Sequence, residues 1–243
     1  MTPRDLERAR RLLCALQDFI RDTLVSARKK QAHTFARVAA VTAADTIYHI
    51  DRLSEHAILD WFDTHWPKAW PVEVVMEGLE EDGPATFPKG TPVSATVLRC
   101  ILDPIDGTRN IMYDKRSAWI LGGLAPQRGA KTNLGDIFVA AMTEIPTSKQ
   151  WRSDQLSAVK GRGVRAEAVD VLSGKRAKLP FKPSTARECR GGFAAISRFF
   201  PEGKTLLASI EEQLWDELYG LGKQASPLVF DDSISARAGS STS

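Results

Sequence analysis

Apolar positions in residues 4–28 recur at helical spacing: Leu6, Ala9, Leu12, Leu13, Leu16, Phe19, Ile20 and Leu24, with charged residues between them. The pattern predicts an amphipathic helix. Lys29, Lys30, Gln31 and His33 then break it. Arg28-Lys29-Lys30 reads as a solvated, dipole-favoured helix end, with an anion site as the alternative. Thr42-Ala43-Ala44-Asp45 resembles a capping box with Asp in place of Glu, and predicts a second helix carrying Ile47, Ile50, Leu53, Ile58, Trp61 and Phe62 to a stop at Pro67. The period then shortens to two. Strands are predicted at Val72–Met76, 94–102, Ser117–Leu124 and Asp136–Ile145. A hairpin follows, in which Gln155–Val159 and Val164–Val169 flank Gly161-Arg162-Gly163. A further strand is expected at Phe193–Ser197 and an amphipathic helix from Gly203 to Leu221. Ser- and Gly-rich residues at the chain end carry no pattern and read as disordered.

Two helices followed by many strands give an α/β (α+β) layered sandwich, with the N-terminal helices packed on a mixed or antiparallel sheet. Composition narrows this little. With 43% hydrophobic and 26% charged residues and a net charge of +3, the chain has ample core and no bulk charge that argues for nucleic acid or a membrane surface. Three cysteines, Cys14, Cys100 and Cys189, have no motif spacing and read as free thiols of a reducing compartment. With no signal core and no apolar run of membrane-spanning length, the expected location is the cytoplasm.

The chemistry concentrates where the apolar run Ala95–Leu102 ends in Asp103-Pro104-Ile105-Asp106-Gly107-Thr108. Two carboxylates on one tight turn repel each other, and a shared divalent cation explains them most simply. Asp, Pro and Gly are also favoured turn residues, so a structural loop is the competing reading. Glu77 stands directly after the Val72–Met76 strand, where it is either a ligand or a solvated loop acid, with Glu80 and Glu81 as fallback ligands. Asp45 is fully explained as a first-turn acid. Arg109 and Asn110 read equally well as phosphate contacts or as exposed loop. His33, His49, His56 and His65 show no ligand spacing.

The six-residue stretch resembles the D-P-[IL]-D-G-[TS] signature of the inositol monophosphatase family, part of a sugar-phosphatase superfamily with fructose-1,6-bisphosphatase. Val41-Thr42-Ala43-Ala44-Asp45 is similar to that family's V-T-x-x-D, Val75-Met76-Glu77-Gly78 stands where it has a strand ending in G-E-E, and Ala158–Gly163 is similar to its A-x-x-G-x-G hairpin. The resemblance implies a Mg²⁺-dependent phosphatase with two or three ions, hydrolysing a phosphate monoester of inositol or a related sugar by attack of an activated water. It implies metal ligation by Glu77, Asp103, the Ile105 carbonyl and Asp106, catalysis by Glu77, Thr108 and Asp45, and substrate binding by Asp106, Gly107 and Thr108. Fructose-1,6-bisphosphate or a 3′-phosphoadenosine nucleotide is the alternative substrate, and a truncated, non-catalytic metal-binding remnant is the alternative protein. Residues 1–230 are expected to form the phosphatase domain and 231–243 a tail, with a small phosphate ester as partner, no nucleic acid or membrane, and a homodimer as the candidate assembly. The family also carries a late aspartate in W-D-x-x-[AG]-G. Trp215-Asp216 resembles it, but Asp216 lies inside a helical pattern and is followed by Glu217-Leu218-Tyr219, so the late ligand is expected to be missing with the C-terminal region.

Overall fold

The N-terminal helix starts on a reciprocal cap. The Thr2 hydroxyl accepts from the Asp5 amide at 3.2 Å, and the Thr2 amide donates to the Asp5 carboxylate at 2.8 Å. In this computed structural model, which describes residues 1–30, 38–41, 46–77, 79, 84–189, 193–196, 202–220 and 228–229, that helix is α1 (Pro3–Lys30). There follow β1 (Val38–Val41), β2 (Thr46–Tyr48), α2 (His49–His65), β3 (Val72–Met76), β4 (Ala85–Phe87), β5 (Leu98–Asp106), the one-turn α3 (Thr108–Met112), β6 (Ala118–Pro126), β7 (Val139–Ile145), β8 (Arg152–Val159), β9 (Val164–Asp170) and β10 (Arg176–Lys178). Backbone contacts divide the chain into two units, Met1–Phe181 and Lys182–Ser243.

In the first unit, eight strands form a mixed sheet in the order β10-β9-β8-β7-β6-β5-β3-β4. Only β3 and β5 run parallel among its described strands; the rest pair antiparallel. The helix α1 packs on β7, β8 and β6, burying Ala9, Leu13, Leu16, Ile20 and Leu24. The approach is close enough that a Cβ on Gly122 would meet Gln17 Nε2 at 3.0 Å and Leu13 Cδ1 at 3.1 Å. Gln17 is fully buried yet satisfied: its amide donates to the Ala141 carbonyl at 2.9 Å, and its side-chain oxygen accepts from the Thr143 hydroxyl at 2.8 Å. The helix α2 adds Ile58, Trp61 and Phe62 to the core, with the Phe62 ring 5.2 Å from that of Phe87 on β4.

The second unit holds β11 (Phe193–Ala194), α4 (Lys204–Tyr219) and β12 (Leu228–Val229), with β11 and β12 parallel. The amphipathic pattern of α4 is as predicted, but Leu206, Ile210, Leu214 and Leu218 are exposed.

Several expectations change. The second helix does not run from the Thr42–Asp45 cap: residues 46–48 are strand β2 and the helix begins at His49. Ile47 and Ile50 satisfy a helical stripe, but Ile47 also pairs with Ala40 across a two-stranded ladder, and that pairing prevails. The cap itself, with Asp45, lies outside the described residues, as do Glu80, Glu81 and the expected tail. Ala85–Phe87, for which the sequence pattern predicts no strand, is an edge strand. The strand expected over 94–102 starts at Leu98 and continues through Asp106.

Leu13→Ala removes a fully buried side chain beneath the sheet and is expected to cost about 2–5 kcal/mol. Urea unfolding followed by tryptophan fluorescence checks this through a lowered midpoint.

Candidate active site

Why do two aspartates three residues apart share one face? In a regular strand, residues separated by an odd number point to opposite faces. Here Asp103 pairs with Leu121 and Asp106 with Trp119, so three steps along β5 match two along β6. The extra residue is a bulge, and it returns both aspartates to the same side of the sheet. Pro104 stands in it, where a missing N–H breaks no ladder bond. Two hydrogen bonds fix the turn. The Ile105 amide donates to Asp103 Oδ1 at 3.0 Å, and the Thr108 hydroxyl donates to the Ile105 carbonyl at 2.9 Å. Gly107 then takes φ +98°, a left-handed conformation that suits glycine, and opens α3, whose Asn110 and Ile111 amides bond back to the Gly107 carbonyl. Ile111 and Met112 anchor that turn in the core.

The turn therefore brings together Asp103, Ile105, Asp106, Gly107 and Thr108. Glu77 reaches the same end of the sheet by strand pairing: Met76 pairs with Leu102 in the parallel β3–β5 ladder, and the next residues along the chain are Glu77 and Asp103. Glu77 is exposed, whereas Asp103 and Asp106 are half-buried. Burial pushes the Asp106 carboxyl above its ordinary pKa. Asp103 lines an apolar cavity of about 510 Å³ together with Leu121, Gly123, Met142, Leu156 and Phe181. Asp216 is exposed in the interior of α4.

The donors on the turn are hard oxygens, two carboxylates and one carbonyl. Such a set fits Mg²⁺, which is usually held by one or two carboxylates and completes its shell with water and phosphate. A carboxylate desolvated without compensation, as at Asp106, is consistent with that use. Among the described residues no group of three or more His, Cys, Asp or Glu side chains is gathered as a ready metal site.

The sequence also hid a set of contacts beyond α3. Arg28, expected to be a solvated helix end, is partly buried: its guanidinium donates to the Pro146 carbonyl at 2.8 Å and lies 4.0 Å from the Asp114 carboxylate. Asp114 follows α3 and accepts from both the amide and the hydroxyl of Ser148. The run Arg28-Lys29-Lys30 stands out by its charge, but no local pattern links it to Asp114 or Ser148.

No family model and no curated protein sequence matches the chain. Solved structures do resemble its fold. Fructose-1,6-bisphosphatase of Leishmania major in holo form superposes with a TM-score of 0.63 at 14% identity, over 94% of this chain and 69% of that one. The extragenic suppressor protein SuhB of Bartonella henselae gives 0.53 at 17% identity, over 84% and 66%. Inositol monophosphatase II of Staphylococcus aureus gives 0.53 at 15%, over 90% and 64%. The chain thus has the layered α/β fold of the inositol monophosphatase and fructose-1,6-bisphosphatase structures, and it spans about two thirds of their length. Among the described residues no helix is long and apolar enough to cross a membrane.

The raised pKa of Asp106 has a signed consequence. The native state holds this proton to higher pH than the unfolded chain does, so stability falls as pH rises from about 4 through the raised value. In the presence of a chelator, Asp106→Asn is expected to melt about 1–3 °C above the parent protein at pH 7, with the gap closing near pH 4. Melting curves across that range check it.

Proposed function

We propose that the chain is a metal-dependent phosphatase acting on a phosphate monoester of inositol or a related sugar. The observation that carries this reading is the bulged turn, which sets Asp103 and Asp106 on one side of the sheet, with Thr108 bonded to the same turn and the strand end before Glu77 paired alongside. The folds of the solved phosphatases support it.

In this reading Asp103, Asp106 and the Ile105 carbonyl hold Mg²⁺, with Glu77 as a further ligand. Bound there, the cation neutralises the phosphate oxygens and acidifies a water. Asp103 already spends one hydrogen bond on the Ile105 amide, which fixes its carboxylate before any ion arrives. The Thr108 hydroxyl donates to Ile105, so it offers an attacking water an acceptor lone pair. Glu77, one residue past its strand, would take that water's proton. Asp106, Gly107 and Thr108 would receive the phosphate, since a glycine at φ +98° leaves no Cβ to obstruct its approach. Asp45 would hold Thr108 in place.

A panel of inositol 1-phosphate, fructose 1,6-bisphosphate and a 3′-phosphoadenosine nucleotide is expected to show Mg²⁺-stimulated release of phosphate, strongest on the inositol or sugar ester. Asp103→Asn is expected to lower the rate about a hundredfold or more. A full rate in that variant refutes the ligand assignment. Calorimetric Mg²⁺ binding with no turnover of any ester would instead favour the non-catalytic remnant.

A further inference from the structure

The helix α3 poses a physical problem. It has five residues, far below the dozen or so at which a helix begins to hold itself in water, yet it carries Thr108 at its first position. Burial of Ile111 and Met112 fixes how deep the turn sits. Two apolar anchors on adjacent residues do not by themselves fix its exit.

The exit is where the chain does something unusual. Asp114 adopts φ +52°, and it is the only non-glycine residue with positive φ among the described residues. Glycine would take this conformation more easily. What the aspartate supplies instead is a carboxylate with two bonds to the β7–β8 turn: the Ser148 amide donates to Oδ1 at 2.6 Å and the Ser148 hydroxyl donates to Oδ2. That turn is itself braced. Its Thr147 amide donates to the Gln150 side chain at 2.8 Å, and Arg28, from the end of α1, donates to the Pro146 carbonyl at 2.8 Å while lying 4.0 Å from Asp114. The Asp114 amide also bonds back to the Ile111 carbonyl at 3.2 Å, and the Lys115 amide to that of Asn110 at 2.9 Å. The segment bearing Thr108 is therefore bounded by two left-handed residues, Gly107 and Asp114, the second of which is tied to two other elements.

We infer that Asp114 is a positioning residue for the candidate active site: through Ser148 and Arg28 it latches α3 to the β7–β8 turn and to α1, and so holds the Thr108 hydroxyl against the Ile105 carbonyl. The groups that face it are Ser148, Arg28 and Lys149. Burial pushes its carboxyl up, but the Ser148 bonds and the two cations outweigh burial and hold it below the ordinary range, so it stays ionised at neutral pH. The inference rests on the phosphatase reading for its catalytic consequence only; the latch itself is a property of the fold.

The test uses Asp114→Gly, which keeps the left-handed backbone and removes the carboxylate, with Asp114→Asn as the rescue. Asparagine tolerates the same backbone and its side-chain oxygen can still accept from the Ser148 amide. Hydrogen exchange by mass spectrometry on the full chain is expected to show the Asn110, Ile111 and Tyr113 amides exchanging about tenfold faster in the glycine variant, with β6 and β7 unchanged and the asparagine variant close to the parent. Turnover of the best ester is expected to fall about tenfold in kcat with KM nearly constant, and to return with asparagine. If Asp114 is merely a left-handed cap, glycine serves as well and neither quantity moves, which overturns the inference. Faster exchange with unchanged kcat overturns the positioning role. If the parent protein hydrolyses no ester, the phosphatase reading fails separately, and the exchange rates alone decide the latch.

Discussion

The close seating of α1 on the sheet is the constraint on which the first unit depends. A Cβ on Gly122 would force Gln17 or Leu13 to give way, and Gln17 spends its side chain on the Ala141 carbonyl and the Thr143 hydroxyl. Those contacts set the distance and the register of a helix spanning three strands. A buried amide left unbonded would cost about 1–3 kcal/mol, so sliding α1 along β7 is penalised at every intermediate position. The bracing of the β7–β8 turn follows, because Arg28 reaches Pro146 only when α1 sits in this register.

The site is built from a local irregularity on that regular platform. One extra residue in β5 changes the face on which Asp106 falls, and the parallel pairing of β3 brings Glu77 to the same sheet end. Neither device needs a long loop. Thr108 is then set by a hydroxyl bond inside the turn and by the short helix that follows it. Desolvation of Asp106 shows the cost: the turn keeps a carboxylate half-buried that would be easier to leave in water.

What could be read from the sequence divides by range of interaction. The helix α1, the strand Val72–Met76 and the β8–β9 hairpin follow from periodicity and turn residues within a few positions, and the structure has them. The proximity of Asp103, Asp106 and Thr108 was legible for the same reason, since they lie on one short stretch. That β5 runs on through Pro104 was not legible, because proline reads as a strand end unless the bulge opposite Leu121 and Trp119 is known. The β1–β2 ladder overrode a helical stripe at Ile47. Asp114 was silent because its partners lie 34 positions away at Ser148 and further still at Arg28, and no local pattern encodes such a pairing.

The parallel pairing of β3 and β5 also bears on the order in which the chain assembles. Strands β7 to β9 are joined by short antiparallel connections and can pair with little loss of chain entropy. Joining β3 to β5 must bring together residues 26 apart, such as Glu73 and Arg99, around the intervening edge strand. Pairing of that kind is intrinsically slower. The meander can therefore stand while Glu77 is still remote from Asp103, so the site belongs to the late part of folding, and a chain interrupted before that step would be a sheet without its chemistry.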